Sequence, residues 1–471
     1  MSKSGNPKDR APAQFWQTNG HFMKYLEDWL SERKVDEVEC LVPDINGIPR
    51  GKILPATKFI KSSKGESLRL PSSVFLQTVT GEYPDVDDDN IGSYEDPDVY
   101  LTPDADTVRI VPWYTDPTAQ VIHDAVDSED KPVEHASRHV LKKVLALYDE
   151  KGWKPVVAPE LEFYLVQPNT DPDLPLLPPI GKSGRPETGS QAYGIDAVNE
   201  FDPIFEDVYD YCEASEIDVD TLVHESGSAQ MEINFNHGNP LELADQAFLF
   251  KRTVRHAALK HNVYATFMAK PLANQPGSSM HVHQSVVDKR TGRNLFADSK
   301  GRDTALFRAY VAGLQRYLPQ VIPMLAPNIN SYRRLQPQFD APINVQWGID
   351  NRSCGLRVPV SNAAGRRIEN RLAGADANPY LAMAASLVCG YIGMTERLKP
   401  SNQIEGSAYR MAHTLPKTEQ EALSRFLNCK PIKGLLGEKF IKALWIVKTA
   451  ELSAYQNVIS SWEREHLLLN V

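Results

Sequence analysis

The sequence lacks the marks of several large protein classes. Its five cysteines form no CxxC pair, which argues against a zinc ribbon or a disulfide scaffold. The longest apolar stretch, residues 381–394, is interrupted by glycines and is shorter than the ~18 residues of a membrane span. The first residues lack the apolar region of a secretory signal, and a net charge of −10 disfavours a nucleic-acid partner. We therefore expect a cytoplasmic protein that acts on small molecules, without a membrane or nucleic acid as partner.

A glycine-rich GxxxxGK[ST] phosphate loop is also absent, so strand-borne groups would have to bind any nucleotide. The length of 471 residues predicts two domains. Residues 1–20 are polar and without hydrophobic period, which predicts a flexible tail. Short strand patterns then flank a PDING turn, where Gly47 is expected at positive φ. With no long helix expected before about residue 133, residues 21–130 are predicted to form a small β-rich domain.

The second predicted domain covers residues 131–471. Its first helix places Val140, Leu141, Val144 and Tyr148 on one face and ends at Gly152. Further helical patterns near 240–261, 303–325 and 377–397 alternate with short strands. This order predicts an α+β domain.

Four strand-like segments of the second domain place charged or amide side chains at alternate positions, which directs them to one face of a sheet. A solvated sheet face explains any single segment equally well. Carboxylates together with imidazoles, however, suit Mg²⁺ or Mn²⁺, and arginines suit phosphate. The groups are Glu160 and Glu162; Gln230, Glu232 and Asn234; His281 and His283; and Arg367, Glu369 and Arg371.

Six motifs in order resemble those of glutamine synthetases: PELEF, HESGSAQMEIN, FMAKPLANQPGSSMHVHQS, NSYRRL, NRSCGLRVP and RRIENRLAGADANPYLA. The resemblance spans about residues 35–471. It implies an N-terminal β-grasp domain followed by a catalytic domain with a curved antiparallel sheet. It also implies a homo-oligomer, a dodecamer of two stacked hexamer rings, with active sites between neighbouring subunits.

The resemblance further implies which residues bind the cofactors, namely ATP as co-substrate and two or more Mg²⁺ or Mn²⁺ ions. One metal would be held by Glu162, Glu225 and Glu232, and the second by Glu160, His281 and Glu369. Residues at nucleotide positions are His283, Ser285, Arg352, Arg357 and Arg367. Residues at substrate positions are Arg334, Arg371, Gly277, Tyr193 and Leu70. We expect Asp340, Arg352 and Glu225 to take part in catalysis.

The acceptor is expected to be larger than ammonia. Where ammonia-using enzymes of the family carry an Asp-Gly-Ser-Ser element, this chain has Leu70-Pro71-Ser72-Ser73, which replaces a carboxylate with an apolar residue. LPSSVF is similar to the γ-glutamylpolyamine synthetase branch, whose members join glutamate to putrescine or another primary amine through γ-glutamyl phosphate. Asp340 matches a flap acid of the ammonia enzymes and could accept the amine proton.

Three other functions stay open at this point. Ordinary ammonia-dependent glutamine synthesis is favoured by Asp340 and opposed by Leu70. A metal-dependent hydrolase would use the same histidines and glutamates, but it has no need of so many arginines. A non-catalytic family member would have lost metal ligands, whereas all six are present.

Overall fold

The computed structural model describes most of the chain. It covers residues 20–63, 68–85, 91, 95–337 and 339–471. The flexible tail predicted for residues 1–20 lies outside these ranges apart from Gly20, where the first helix begins.

The first helix, α1 (Gly20–Glu32), corrects the expectation that no long helix precedes residue 133. Leu26, Trp29 and Leu30 are buried. Their spacing of three and four residues places them on one helical face, where they join the apolar cluster under the N-terminal strands. The sequence shows this spacing, but the polar residues that precede it obscure the start of the helix.

The remaining elements follow in chain order. The strands are β1 (Glu37–Pro43), β2 (Pro49–Pro55), β3 (Leu68–Pro71), β4 (Asp98–Pro103), β5 (Arg109–Val111), β6 (Thr118–Val126), β7 (Trp153–Val166), β8 (Val219–His224), β9 (Gln230–Phe235), β10 (Tyr264–Thr266), β11 (Met280–Asp288), β12 (Trp347–Ile349), β13 (Leu356–Val358) and β14 (Ile368–Asn370). The helices are α2 (Ala56–Ser63), α3 (Ser137–Glu150), α4 (Ile195–Asn199), α5 (Asp202–Ala214), α6 (Pro240–Lys260), α7 (Ala305–Tyr317), α8 (Ile322–Leu325), α9 (Ser331–Arg334), α10 (Pro379–Glu396), α11 (Glu419–Asn428), α12 (Lys430–Leu436), α13 (Glu438–Gln456) and α14 (Ser461–Leu467).

The N-terminal strands form one sheet in the order β2-β1-β6-β4-β3, with β5 paired to β6. The β1–β2 hairpin is antiparallel, as the sequence predicted, and Gly47 in its turn has a φ of 76°. A Cβ at Gly47 would lie 3.1 Å from the Cα of Asn378, and the Asn378 side chain donates to the carbonyl of Asp44. The hairpin turn is therefore attached to the start of α10.

The second sheet has the order β12-β13-β14-β11-β7-β9-β8, with β10 paired to β7. It is curved and nearly closed, and its pairs are antiparallel apart from the parallel pair of β12 and β13. This confirms the α+β fold class. Helices α3, α7 and α10 pack together beside it, and α10 is buried along almost its whole length, from Pro379 to Met394.

Strand register brings the charged side chains of the sequence motifs together. Residue Glu160 on β7 lies opposite His281 on β11, and Glu162 lies opposite Glu232 on β9. On the next pair, His283 lies opposite Glu369 of β14. Because side chains of paired residues point to the same side of a sheet, the acids and histidines of four strands share one face.

In the described ranges, no helix combines the length and the apolar character needed to cross a bilayer.

Candidate active site

The shared face of β7, β9 and β11 forms the floor of a cavity of about 420 Å³. Loops that follow α9 and β12 cover it from the other side. It is lined by Glu160, Glu162, Tyr193, Val223, Glu225, Ser226, Gln230, Glu232, Asn234, Pro276, Gly277, Ser279, His281, Arg334, Phe339, Asp340, Ala341, Arg352, Arg357 and Arg371. Carboxylates on one wall thus face guanidinium groups on the other.

Glu160 is the centre of the acidic wall. One of its oxygens lies 2.8 Å from Nε2 of His283 and the other 3.4 Å from Nδ1 of His281. Arg367 donates to Nδ1 of His283 at 3.2 Å, so His283 carries its proton on Nε2 and donates to Glu160. Burial opposes ionisation of Glu160, but the hydrogen bonds from both histidines lower its pKa below the ordinary value.

Two groups of possible metal ligands occur in the described ranges. The ligand atoms of Glu160, Glu232 and His281 lie within 4.8 Å of one another, and so do those of Glu160, His283 and Glu369. Glu160 and His281 come together as the sequence predicted, and His281 also lies 3.7 Å from Glu369. The inclusion of His283 was not predicted.

The other predicted ligand set, Glu162, Glu225 and Glu232, lines the same cavity but does not converge to ligand distance in the described ranges. Glu162 is instead turned toward Ser279, whose backbone N–H donates to it at 2.8 Å. Gln230 adds a longer hydrogen bond at 3.3 Å. These neutral donors hold one member of the set away from the others.

Charge repulsion among these acids shows in their pKa values. Burial and the neighbouring charge of Glu225 raise the pKa of Glu162 to about 7. Burial, followed by the charges of Glu162 and Glu160, raises the pKa of Glu232 well above its ordinary value. Burial also raises the pKa of Glu225. Hard divalent cations prefer clustered carboxylates of this kind, so the donor set fits Mg²⁺ or Mn²⁺.

The arginine wall offers donors to an anion. Arg371 uses one nitrogen to bind Glu369 at 2.6 Å, while its Nε is buried and has no hydrogen-bond partner among the described residues. Arg334 donates to the backbone carbonyls of Arg371 and Leu372. Burial lowers the pKa of Arg334 to about 10, which still leaves its guanidinium charged near neutral pH. Guanidinium groups that line a cavity are suited to bind a carboxylate, and Arg334 and Arg371 both line this one.

Gly277 allows Arg334 to reach the cavity. A Cβ at this position would lie 2.7 Å from Cγ of Arg334 and 2.6 Å from the carbonyl oxygen of Ala269. Contacts this short require one of the neighbours to move, and the backbone carbonyl cannot easily do so. The absence of a side chain at Gly277 is therefore a condition for the observed position of Arg334.

A second cavity of about 410 Å³ lies on the other side of Glu160 and Asn234. Its lining includes three of the predicted nucleotide residues, His283, Ser285 and Arg367. The other two, Arg352 and Arg357, line the first cavity, and Arg357 is paired with Glu369 at 2.8 Å. The predicted nucleotide residues are thus divided between two cavities that share one wall.

Asp340, Phe339 and Tyr193 lie at the edge of the first cavity. Phe339 and Asp340 have φ values of 53° and 56°, a left-handed conformation that costs energy for residues with a Cβ. Tyr193 also has positive φ and is 67% exposed. The edge therefore combines two exposed aromatic rings with one carboxylate.

Leu70 is the predicted substrate residue that the structure does not bring to the cavity. It lies on β3, is only 5% exposed, and packs with Val42, Phe75, Val99 and Leu101 of its own chain. Within one chain this side chain does not line the first cavity, and its role at an acceptor site stays a prediction. Alternation along β3 turns this side chain into the N-terminal core.

Ser279 was missed in the sequence, although it holds Glu162 and its hydroxyl lies 2.9 Å from Nε2 of His281. A pattern in the sequence could have identified Ser279, because Ser279, His281 and His283 follow one another at every second position. Phe339 was also not predicted as a site residue, and no periodic pattern in the sequence identifies it.

Comparison with known proteins gives consistent matches. The family model for the glutamine synthetase catalytic domain matches residues 134–467. Gamma-glutamylputrescine synthetase PuuA of Escherichia coli (strain K12) is 35% identical over 95% of this chain and 94% of its own. A glutamate–isopropylamine ligase of Pseudomonas sp is 30% identical, covering 93% of this chain and 96% of its own. The solved structure of a GmaS/ADP complex is 26% identical, with a TM-score of 0.80 and coverage of 94% and 99%.

Proposed function

Because the chain belongs to the glutamine synthetase family, we propose that it is an ATP-dependent ligase that joins the γ-carboxylate of glutamate to a primary amine. The product is a γ-glutamyl amide, formed through γ-glutamyl phosphate with release of ADP and phosphate. Relatives named for putrescine and isopropylamine ligation support an amine acceptor. The observation that carries the proposal is the cavity in which clustered carboxylates face buried arginines.

A carboxylate becomes electrophilic only after phosphorylation, which brings two anionic groups together. In the proposed arrangement Glu162, Glu225 and Glu232 hold one divalent ion and Glu160, His281 and Glu369 hold a second, with His283 beside them. When bound, such ions supply electrostatic stabilisation of the transferring phosphoryl group. Mg²⁺ and Mn²⁺ both suit this donor set. Ser279 orients Glu162, and Arg352 and Arg357 add positive charge from the chain itself.

The nucleotide is proposed to occupy the second cavity, beside His283, Ser285 and Arg367. Glutamate is proposed to occupy the first cavity, where the guanidinium groups of Arg371 and Arg334 would contact its carboxylates. Glu160 and Asn234 border both cavities. A phosphate passed between the two substrates would therefore travel only across this shared wall.

The acceptor amine is proposed to enter at the edge formed by Asp340, Phe339 and Tyr193. An alkyl ammonium has a pKa of about 10.4, so most of it must lose a proton before it can attack. Asp340 is the group that accepts this proton, while the aromatic rings cover the alkyl chain. Leu70 stands where ammonia-using members of the family have a carboxylate, so it removes a negative charge from that position. Its side chain is not proposed to contact the amine. Ammonia is the alternative acceptor, and Asp340 is the residue that favours it.

Members of this family are generally oligomers that act on small molecules. For this chain we propose a dodecamer of two stacked hexameric rings, on resemblance alone. We also propose that the boundary between the two domains lies near residue 130, between the end of β6 and the start of α3. The cytoplasm as location stays a prediction.

A panel of acceptors tests the proposed function. Purified protein with ATP, Mg²⁺ and glutamate is offered ammonia, methylamine, isopropylamine, putrescine and spermidine, and ADP release and the amide product are both measured. We expect kcat/KM for at least one alkyl amine to exceed that for ammonia by about 100-fold, since each buried CH₂ contributes about 0.8 kcal/mol. A preference for ammonia would replace the proposal with glutamine synthesis, and ADP release without amide would oppose both.

A further inference from the structure

A larger cavity, of about 740 Å³, lies apart from the candidate active site. It is bounded by the first two turns of α7, the end of α10 and the segment 397–403 that follows it. None of its lining residues lines either of the two cavities around Glu160. A volume of this size is within the usual range for small-molecule sites.

Three cations surround the opening of this cavity, Arg308, Arg397 and Lys399. In the described part of the chain, none of their side chains makes a hydrogen bond or an ion pair. The one acid in the lining is Asp303, and Arg366 already neutralises it. The opening thus carries an uncompensated positive charge, although the whole chain has a net charge of −10.

Part of the lining of this cavity is apolar, beside the polar residues Ser401, Asn402 and Gln403. Trp347 and Met394 are buried, and Leu398 is partly buried beside them. The indole N–H of Trp347 donates to the carbonyl of Ser401 at 2.9 Å, which fixes the ring in the wall. The ring and the thioether therefore offer a fixed apolar surface of the kind that packs against a planar or aliphatic group.

We propose that this cavity binds a small organic anion whose acidic group faces Arg308, Arg397 and Lys399 and whose apolar part packs on Trp347 and Met394. Neither feature alone selects such a ligand. An inorganic anion would leave the apolar wall in contact with water, and a neutral apolar compound would leave the cations without a partner. Because the lining is separate from both catalytic cavities, binding here does not compete with ATP or glutamate.

The test uses two matched fluorescent probes on the full chain with saturating ADP, Mg²⁺ and glutamate. One probe is 8-anilinonaphthalene-1-sulfonate, and the other is its uncharged analogue N-phenyl-1-naphthylamine. We expect the sulfonate to bind at least ~10-fold more tightly than the uncharged probe, the ratio that one charge-assisted contact supplies. Energy transfer from tryptophan to the bound sulfonate should fall in the Trp347→Phe variant, which places the probe in this cavity.

Charge variants complete the test. The double variant Arg308→Ala with Lys399→Ala is expected to weaken sulfonate binding at least ~10-fold. The control Lys58→Ala with Lys300→Ala removes two exposed cations elsewhere and should leave binding unchanged. Equal affinity of the two probes, equal affinity in the two double variants, or sulfonate binding that is found only when glutamate and ADP are left out would each overturn the proposal. These measurements do not depend on ligase activity, so their outcome is independent of the proposed function.

Discussion

The acidic wall and the arginine wall of the candidate active site are built in different ways. Most of the acids lie on adjacent paired strands, where the register of β7, β9 and β11 determines which of them meet, whereas Glu225 follows the end of β8. Of the arginines, Arg334 ends α9, Arg352 lies between β12 and β13 and Arg371 follows β14, whereas Arg357 lies on β13 itself. Contacts to backbone carbonyls and the absence of a side chain at Gly277 hold Arg334 there. Strands position a charge by periodicity, whereas loops position it by specific tertiary contacts.

This difference leads to distinct responses to mutation. Removing an acid deletes a charge from a wall that the sheet keeps in place, so function is lost while the fold remains. Changing a residue of the arginine wall moves a guanidinium group, so the affinity for the substrate falls only in part. Residues that do not line the cavity are expected to affect stability rather than catalysis.

The largest effect is expected on the acidic wall. Glu162→Ala and Glu225→Ala should each lower ADP-forming activity by about 1000-fold or more, because each removes a carboxylate that offsets metal charge. The protein should still fold, because each change also removes repulsion between buried acids, which partly offsets the hydrogen bonds that are lost. Glu213→Ala on the exposed side of α5 is the control. Activity above a few per cent with metal content unchanged would refute the assignment.

The next effect concerns the proton acceptor at the edge of the cavity. Asp340→Asn should lower kcat for an alkyl amine by about 100-fold near neutral pH, the size expected for loss of a general base. The deficit should shrink as pH rises toward the amine pKa, because more of the amine is then neutral without help. A pH profile of both proteins measures this. Asp173→Asn, in an exposed loop, serves as the control. A loss of kcat in Asp340→Asn that does not change with pH would show that Asp340 has another role.

On the arginine wall, Arg371→Lys keeps the charge but removes the planar arrangement of donors. Loss of a charge-assisted contact costs about 1.5–3 kcal/mol, so kcat/KM for glutamate should fall by about 10- to 150-fold. Steady-state kinetics with glutamate as the varied substrate gives the value. The exposed Arg302→Lys exchange should have no effect. If Arg371→Lys also left the kinetics unchanged, Arg371 would be assigned to holding Glu369 only.

A smaller effect is expected from Gly277→Ala. The added Cβ would meet Ala269 and Arg334, and the displaced guanidinium should raise KM for glutamate by about 10-fold with little change in KM for ATP. Gly434→Ala is a matched control, because the added methyl group meets no atom within 4 Å there. A uniform loss of activity with both substrates would indicate a folding defect, which thermal unfolding would reveal.

The smallest catalytic effect is expected at Leu70. Leu70→Ala should destabilise the protein by about 2–5 kcal/mol, as for other large-to-small changes in a core. The preference between putrescine and ammonia should stay within ~2-fold, because the side chain packs inside its own chain. Urea unfolding and the acceptor panel measure the two quantities. A clear shift in preference without loss of stability would restore the idea of direct contact with the amine.

Much of the acidic wall could be predicted from the sequence. Alternation along a strand is a local property, so Glu160, Glu162, Glu232, His281 and His283 could be placed on one face of each strand without a structure. Hydrophobic spacing likewise predicted the β1–β2 hairpin and the helix that ends before Gly152, both of which the fold confirms. The helix α1 was missed because its apolar spacing follows a long polar segment.

The sequence alone thus determined which polar side chains share one face of each strand, because that alternation depends on neighbours along the chain. Only the tertiary structure decided that Glu162 turns to Ser279, that the nucleotide arginines divide between two cavities, and that Leu70 belongs to a core. These outcomes depend on strand register and on loops that pack from distant parts of the chain. The periodic pattern around a residue contains no information about which distant residue its side chain will contact.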